Sequence, residues 1–143
     1  MAYKNTLEVH EIFELVSKAK NRTDRISALQ QNATPAIKDI LRGLYDDRVQ
    51  WNLPGGEPPY TPNEPESPPS SLRKMHLNFK YLVKGIAASD SLISVKREKI
   101  FLDMLESIHP ADAKLMVSVI NKKNPVKGLT KKIVQEAIPG LIP

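Results

Sequence analysis

Apolar residues recur along this chain at spacings of three and four, the period of one helical face, and nowhere alternate for the length of a strand. Val9, Ile12, Phe13, Val16 and Ala19 form the first run, with Glu8, Glu11 and Glu14 mostly opposite. This predicts a helix over about 7–20 with Thr6 as its cap. Thr23 is the predicted cap of a shorter helix that carries Ile26 and Leu29 and ends near Gln31 and Asn32. Thr34-Pro35 is a start signal, because proline at the first helical position has no amide to leave unpaired. The helix it opens has Ile37, Ile40, Leu41 and Leu44 as its buried stripe, and Gly43 leaves room for a close neighbour.

The second half repeats this grammar. Leu72, Met75, Phe79, Leu82 and Val83 predict a fourth helix, capped by Ser70 or Ser71 and closed by Gly85. A loop follows to Ser94, which opens a fifth helix with Ile100, Phe101, Met104, Leu105 and Ile108 on one face. His109-Pro110 breaks and restarts the pattern, so His109 reads as a helix-junction residue. Leu115, Met116, Val119 and Ile120 give the next helix its core face. Thr130 caps the last, from Lys131 to Ile138, with Leu129 placed to staple onto Val134. No Asn-Gly or Asp-Gly hairpin turn and no internal repeat is present.

Between the two halves runs WNLPGGEPPYTPNEPESPPSS, from Trp51 to Ser71, which holds seven of the twelve prolines. Proline lacks an amide donor and fixes φ, so this density excludes helix interior and central strand alike. The expected fold is therefore all-α, a compact bundle of six or seven short helices with a long proline-rich connector wrapped on the surface. It forms a single domain over 1–143, divided into an N-terminal helical half (1–48), the connector (49–71) and a basic C-terminal half (72–143). Trp51 is expected to anchor the connector to the core, with Leu53 and Tyr60 docking beside it. The alternative is that Trp51, Leu53, Pro54, Pro58, Pro59 and Tyr60 present a polyproline surface to a partner's aromatic groove.

The absence of cysteine excludes disulfides, thiolate catalysis and zinc–thiolate sites. No apolar run approaches the roughly 18 residues of a membrane span, and acidic residues stand where a secretory signal would be apolar. A soluble, intracellular protein without membrane contact is expected. His10, His76 and His109 are isolated in sequence, and Asp46-Asp47 beside Arg48 reads as a helix-end pair. No catalytic residue, metal site or cofactor is predicted, and the expected class is non-enzymatic.

Charge changes the picture more. The net +5 is uneven: up to Glu66 there are 8 lysines and arginines against 10 acids, and from Ser67 to Lys132 there are 13 against 5. The densest stretch is Lys122-Lys123-Asn124-Pro125-Val126-Lys127-Gly128-Leu129-Thr130-Lys131-Lys132. A glycine turn feeding a helix start among five lysines offers free amides, a dipole end and ammonium groups to an anion. Lys122, Lys123, Lys127, Gly128, Thr130, Lys131 and Lys132 are the candidate nucleic-acid or anion contacts, and Arg73, Lys74, Arg97 and Lys99 could extend them. The spacing is not that of a Walker loop.

Four blocks carry a resemblance: LRGLYDDRVQWNLPGGEPPYTPN at 41–63, FKYLVKG at 79–85, KREKIFLDMLESIHPADAKL at 96–115 and KGLTKKIVQEAIPGLI at 127–142. Together they resemble a family of small uncharacterised proteins encoded by contractile-tailed bacteriophages, especially cyanophages. The resemblance implies a viral gene product in the cytoplasm of an infected bacterial host, or in a virion, and implies no activity or site residue. The expected function is thus a phage accessory protein that binds nucleic acid or a nucleoprotein assembly through its basic half. Two alternatives are a virion structural or assembly component, docking through the connector and the apolar end Ile138 to Pro143, and a binder of a host protein through the proline-rich segment.

Overall fold

The computed structural model describes residues 7–64 and 69–143. These residues form α1 (Val9–Lys18), α2 (Arg22–Gln31), α3 (Pro35–Tyr45), α4 (Leu72–Met75), a 3₁₀ segment (His76–Tyr81), α5 (Ala87–Asp90), α6 (Ser94–Ser107), α7 (Pro110–Ile120) and α8 (Lys131–Ala137). Among the described residues there is no strand, only two isolated bridges, Trp51 with Val83 and Ser70 with Ile108. The all-α expectation holds. No helix among the described residues is long and apolar enough to cross a membrane.

The helix starts follow side-chain chemistry. Thr34 and Thr130 cap as expected, each hydroxyl accepting an amide one turn on, from Ile37 at 3.3 Å and Ile133 at 3.2 Å. His109 caps α7 through Nδ1, which accepts from the Ala111 amide at 3.0 Å. Thr6, the expected cap of α1, lies outside the described residues; at the N-cap stands Glu8, whose amide donates to Glu11 Oε1 at 2.8 Å. Thr23 is not the cap of α2. Asn21 is, its side-chain oxygen accepting from the Asp24 amide at 2.9 Å, so the helix begins before Thr23.

The predicted fourth helix survives for one α turn, capped by Ser71, and then tightens into the 3₁₀ segment. Three residues per turn place His76 and Phe79 on the same inward side, where both are buried, and leave Leu77 68% exposed. His76 Nδ1 lies 2.6 Å from Asp39 Oδ2 on α3, a tie that the α-helical pattern did not foresee. The expected loop up to Ser94 contains the single turn α5, and Asp90 at its end accepts the Gly85 amide at 3.0 Å.

These short helices bury little alone, and most of their stability must come from packing across the chain. α2 packs on α1 and α8, α1 and α3 on α7, and α6 on α7. The two halves seen in the sequence are thereby interleaved around one core, where Leu29, Ile37, Ile40, Met104, Leu105, Met116 and Val134 all belong to a single buried cluster. Leu141 and Ile142 are buried in it as well, so these two residues of the 138–143 segment pack on the chain's own fold.

Trp51 anchors the connector, as expected. It is 7% exposed, and its indole Nε1 donates to Gly43 O at 3.0 Å. That carbonyl belongs to the last turn of α3, where helix carbonyls have no partner within the helix. The ring meets Phe79 edge-on, centroids 5.4 Å apart. From there the connector runs as a strap. Asn52 donates its amide to Leu82 O at 2.6 Å, the Gly56 amide donates to Asn121 Oδ1 at 2.7 Å, Asn121 Nδ2 returns a bond to Gly56 O at 3.0 Å, and the Thr61 amide donates to Glu106 Oε2 at 2.8 Å.

Candidate functional site

The lysine-rich segment leaves α7 at Asn121 and turns at Lys122, which adopts a left-handed φ of 56°. Lys122 faces inward. Its Nζ donates to Asp46 O at 3.0 Å, and burial lowers its pKa from the ordinary lysine value. This lysine links α7 to the end of α3 and is not displayed for an anion. Asn124 then braces the loop, donating to Leu129 O at 2.8 Å and accepting from the Val126 amide at 3.0 Å.

Gly128 has φ +84°, and a Cβ there would stand 2.6 Å from Arg25 Nε. Glycine is required for its backbone and for the room it leaves. The cradle predicted at this turn is filled by the guanidinium of α2, and the Thr130 hydroxyl is already committed to Ile133. Gly128 and Thr130 are thus structural. Lys123, Lys127, Lys131 and Lys132 remain at the surface, only Lys131 half-buried, and none has an ion pair among the described residues. Arg25 is a residue that periodicity could not have found, because its neighbour is about a hundred positions away along the chain.

Several acids elsewhere are taken by other cations. Arg22 pairs with Glu136 across α2 and α8, Lys18 with Glu14 at 2.6 Å, and Arg73 with Glu8 at 3.1 Å. Lys99 is 2.9 Å from Asp103. Asp46 is held by Arg48 through three bonds of 2.9–3.0 Å, and these draw its pKa down to about 2. Arg97 is buried with its guanidinium on the carbonyls of Asn52 (3.0 Å) and Leu92 (3.2 Å). Three of the four residues suggested as extensions of the patch, Arg73, Arg97 and Lys99, are therefore engaged locally.

Beside the lysine loop, α1, α7 and Pro125-Val126 enclose a cleft of about 440 Å³ lined by His10, Ser17, Lys18, Lys114 and Ser118. Behind it lies a cluster that the sequence did not reveal. Asp112, fully buried, accepts the His10 amide at 2.9 Å and lies 3.0 Å from His10 Nδ1, and the His10 ring stacks on His109 with centroids 4.2 Å apart. Burial pushes the Asp112 carboxyl above its ordinary pKa, against the pull of His10. His109 accepts from the Ala111 amide through Nδ1, so its proton sits on Nε2. Among the described residues no group of three or more potential ligands is arranged for a metal ion.

The residues singled out in the connector separate. Trp51 is in the core and is not presented to a partner. Leu53, Pro54, Pro58 and Pro59 come together as the outer wall of a cavity of about 320 Å³, with Phe101 and Leu102 of α6 and Ile120 of α7 opposite. Tyr60 packs half-buried against the core just beyond, its phenol pKa raised by burial and then by Glu57.

No curated protein and no solved structure matches the chain. A family model described as "Family of unknown function (DUF6433)" matches residues 12–125, from the middle of α1 to the lysine loop, leaving Lys127, Lys131, Lys132 and α8 outside the matched span. Since that span covers most of its length, the chain belongs to the DUF6433 family.

Proposed function

We propose that this chain is a non-enzymatic binding protein that engages nucleic acid, or a nucleoprotein assembly, through the outward lysines of the 122–132 segment. One observation carries the reading: Lys123, Lys127, Lys131 and Lys132 have no ion pair among the described residues, while Glu8, Glu14, Asp46, Asp103 and Glu136 are each occupied by another cation. Unpaired lysines on a braced loop and on the helix start that follows it can release counterions from a phosphate backbone with little rearrangement. Lys114 on the rim of the adjoining cleft extends the surface. The setting, on the strength of the phage resemblance, is an infected bacterial cytoplasm or a virion.

Titration against single-stranded DNA, duplex DNA and RNA at roughly 50 and 200 mM salt tests this, since phosphate contacts weaken steeply over that range. Binding is expected to fall with salt, and Lys127→Glu with Lys131→Glu to weaken it at low salt and flatten the salt slope by about 2. Absence of binding at low salt, or binding indifferent to salt, overturns the proposal. A second reading, an assembly component that docks on a neighbouring subunit, draws on Leu77, Ile93 and Val95, which are 68%, 72% and 76% exposed. Mass spectrometry of purified particles separates the two, since a virion component is present in them and an accessory protein is not.

A further inference from the structure

The strap does not lie flush on the helices beneath it. It is tied down on both sides of the cavity, by Asn121 to Gly56 and by Glu106 to Thr61, yet about 320 Å³ stays open between Leu53–Pro59 and α6. Pro54, Pro58 and Pro59 stiffen this roof, so the space does not depend on a flexible loop staying open. Enclosure by a roof suits a small molecule rather than a helix or strand. The volume is in the range of small-ligand sites.

Two carboxylates interrupt the apolar walls, Glu57 on the strap and Glu98 on α6. Neither has an ion pair among the described residues, and no lysine or arginine lines the cavity. Arg97, next to Glu98 in sequence, is held on the carbonyls of Asn52 and Leu92. In a chain of net charge +5, this is an apolar chamber carrying only negative charge. We infer that the cavity between the proline-rich strap and α6 binds a small organic cation, an apolar body with an ammonium head, the body against Leu53, Phe101 and Leu102 and the head between Glu57 and Glu98.

Benzylammonium is a suitable probe, with benzyl alcohol and benzoate as its neutral and anionic counterparts, each titrated into the ¹⁵N-labelled protein. Benzylammonium is expected to shift amides within 53–61 and 98–102 in a saturable way. Benzyl alcohol should bind on the order of tenfold more weakly, as the loss of one charge-assisted contact implies, and benzoate not at all. Glu57→Gln with Glu98→Gln, at partly exposed positions where the fold is little affected, should reduce benzylammonium to the affinity of the alcohol. Equal binding of all three probes, shifts scattered over the surface, or no saturable shift with benzylammonium overturns the inference. None of these outcomes bears on the lysine surface, which is read by its own salt titration.

Discussion

Gly43 and Trp51 show how closely two residues can specify one another. A methyl group on Gly43 would sit 2.4 Å from Trp51 Cζ2 and 3.3 Å from Val119 Cγ1, and the ring cannot retreat without giving up its bond to the Gly43 carbonyl. Gly43→Ala is therefore expected to destabilise the fold by about 1–3 kcal/mol, the usual cost of overpacking, although alanine is the better helix former. Urea unfolding measures this; an unchanged midpoint would mean that the ring is free to move aside. The need for room at Gly43 was legible in the sequence, since glycine weakens a helix interior and its place within an apolar stripe points to a neighbour at close range. Which side chain fills that room was not legible, because the connector approaches α3 only after the chain has turned back.

At the scale of elements, Asp112 joins two helix starts. It stands in the first turn of α7 and accepts the His10 amide from the first turn of α1, so both dipoles favour its charge at the place where burial opposes it. Asp112→Ala would leave a helix-terminal amide and an imidazole without their acceptor, and is expected to cost about 1–3 kcal/mol. Asp112→Asn keeps the acceptor and exchanges one unpartnered atom, Oδ2, for another, so it should lose much less. Comparable losses in both variants on thermal unfolding would show that charge, rather than the hydrogen bond, makes the joint. The helices themselves were readable from apolar spacing, as were the caps at Thr34 and Thr130. The cap of α2 and the 3₁₀ turn differ from the pattern's expectation, because Asn21 competes with Thr23 for the same start and because the pull of Asp39 on His76 comes from another helix.

Over the whole molecule, the strap and the lysine loop meet at Asn121, which holds Gly56 with one hand and ends α7 with the other. Removing that grip with Asn121→Ala should loosen the strap without melting the bundle. At about 1 kcal/mol per lost bond, amides such as Gly56 and Thr61 are expected to exchange on the order of tenfold faster, while those of α3 and α6 keep their protection. Hydrogen exchange distinguishes this from a uniform loss across the chain, which would show that the strap is part of the cooperative core. By itself the sequence determined the helical class, the position of the strap, the anchoring by Trp51 and the excess of lysine after Lys122, because these follow from local spacing and from the backbone limits of proline. Only the tertiary structure decided that the two halves interleave, that Arg25 fills the Gly128 turn, that Lys122 serves the fold and that a cavity lies beneath the strap. Each of these depends on contacts between residues distant in the chain, and periodicity along one segment carries no information about which other segment will cover it.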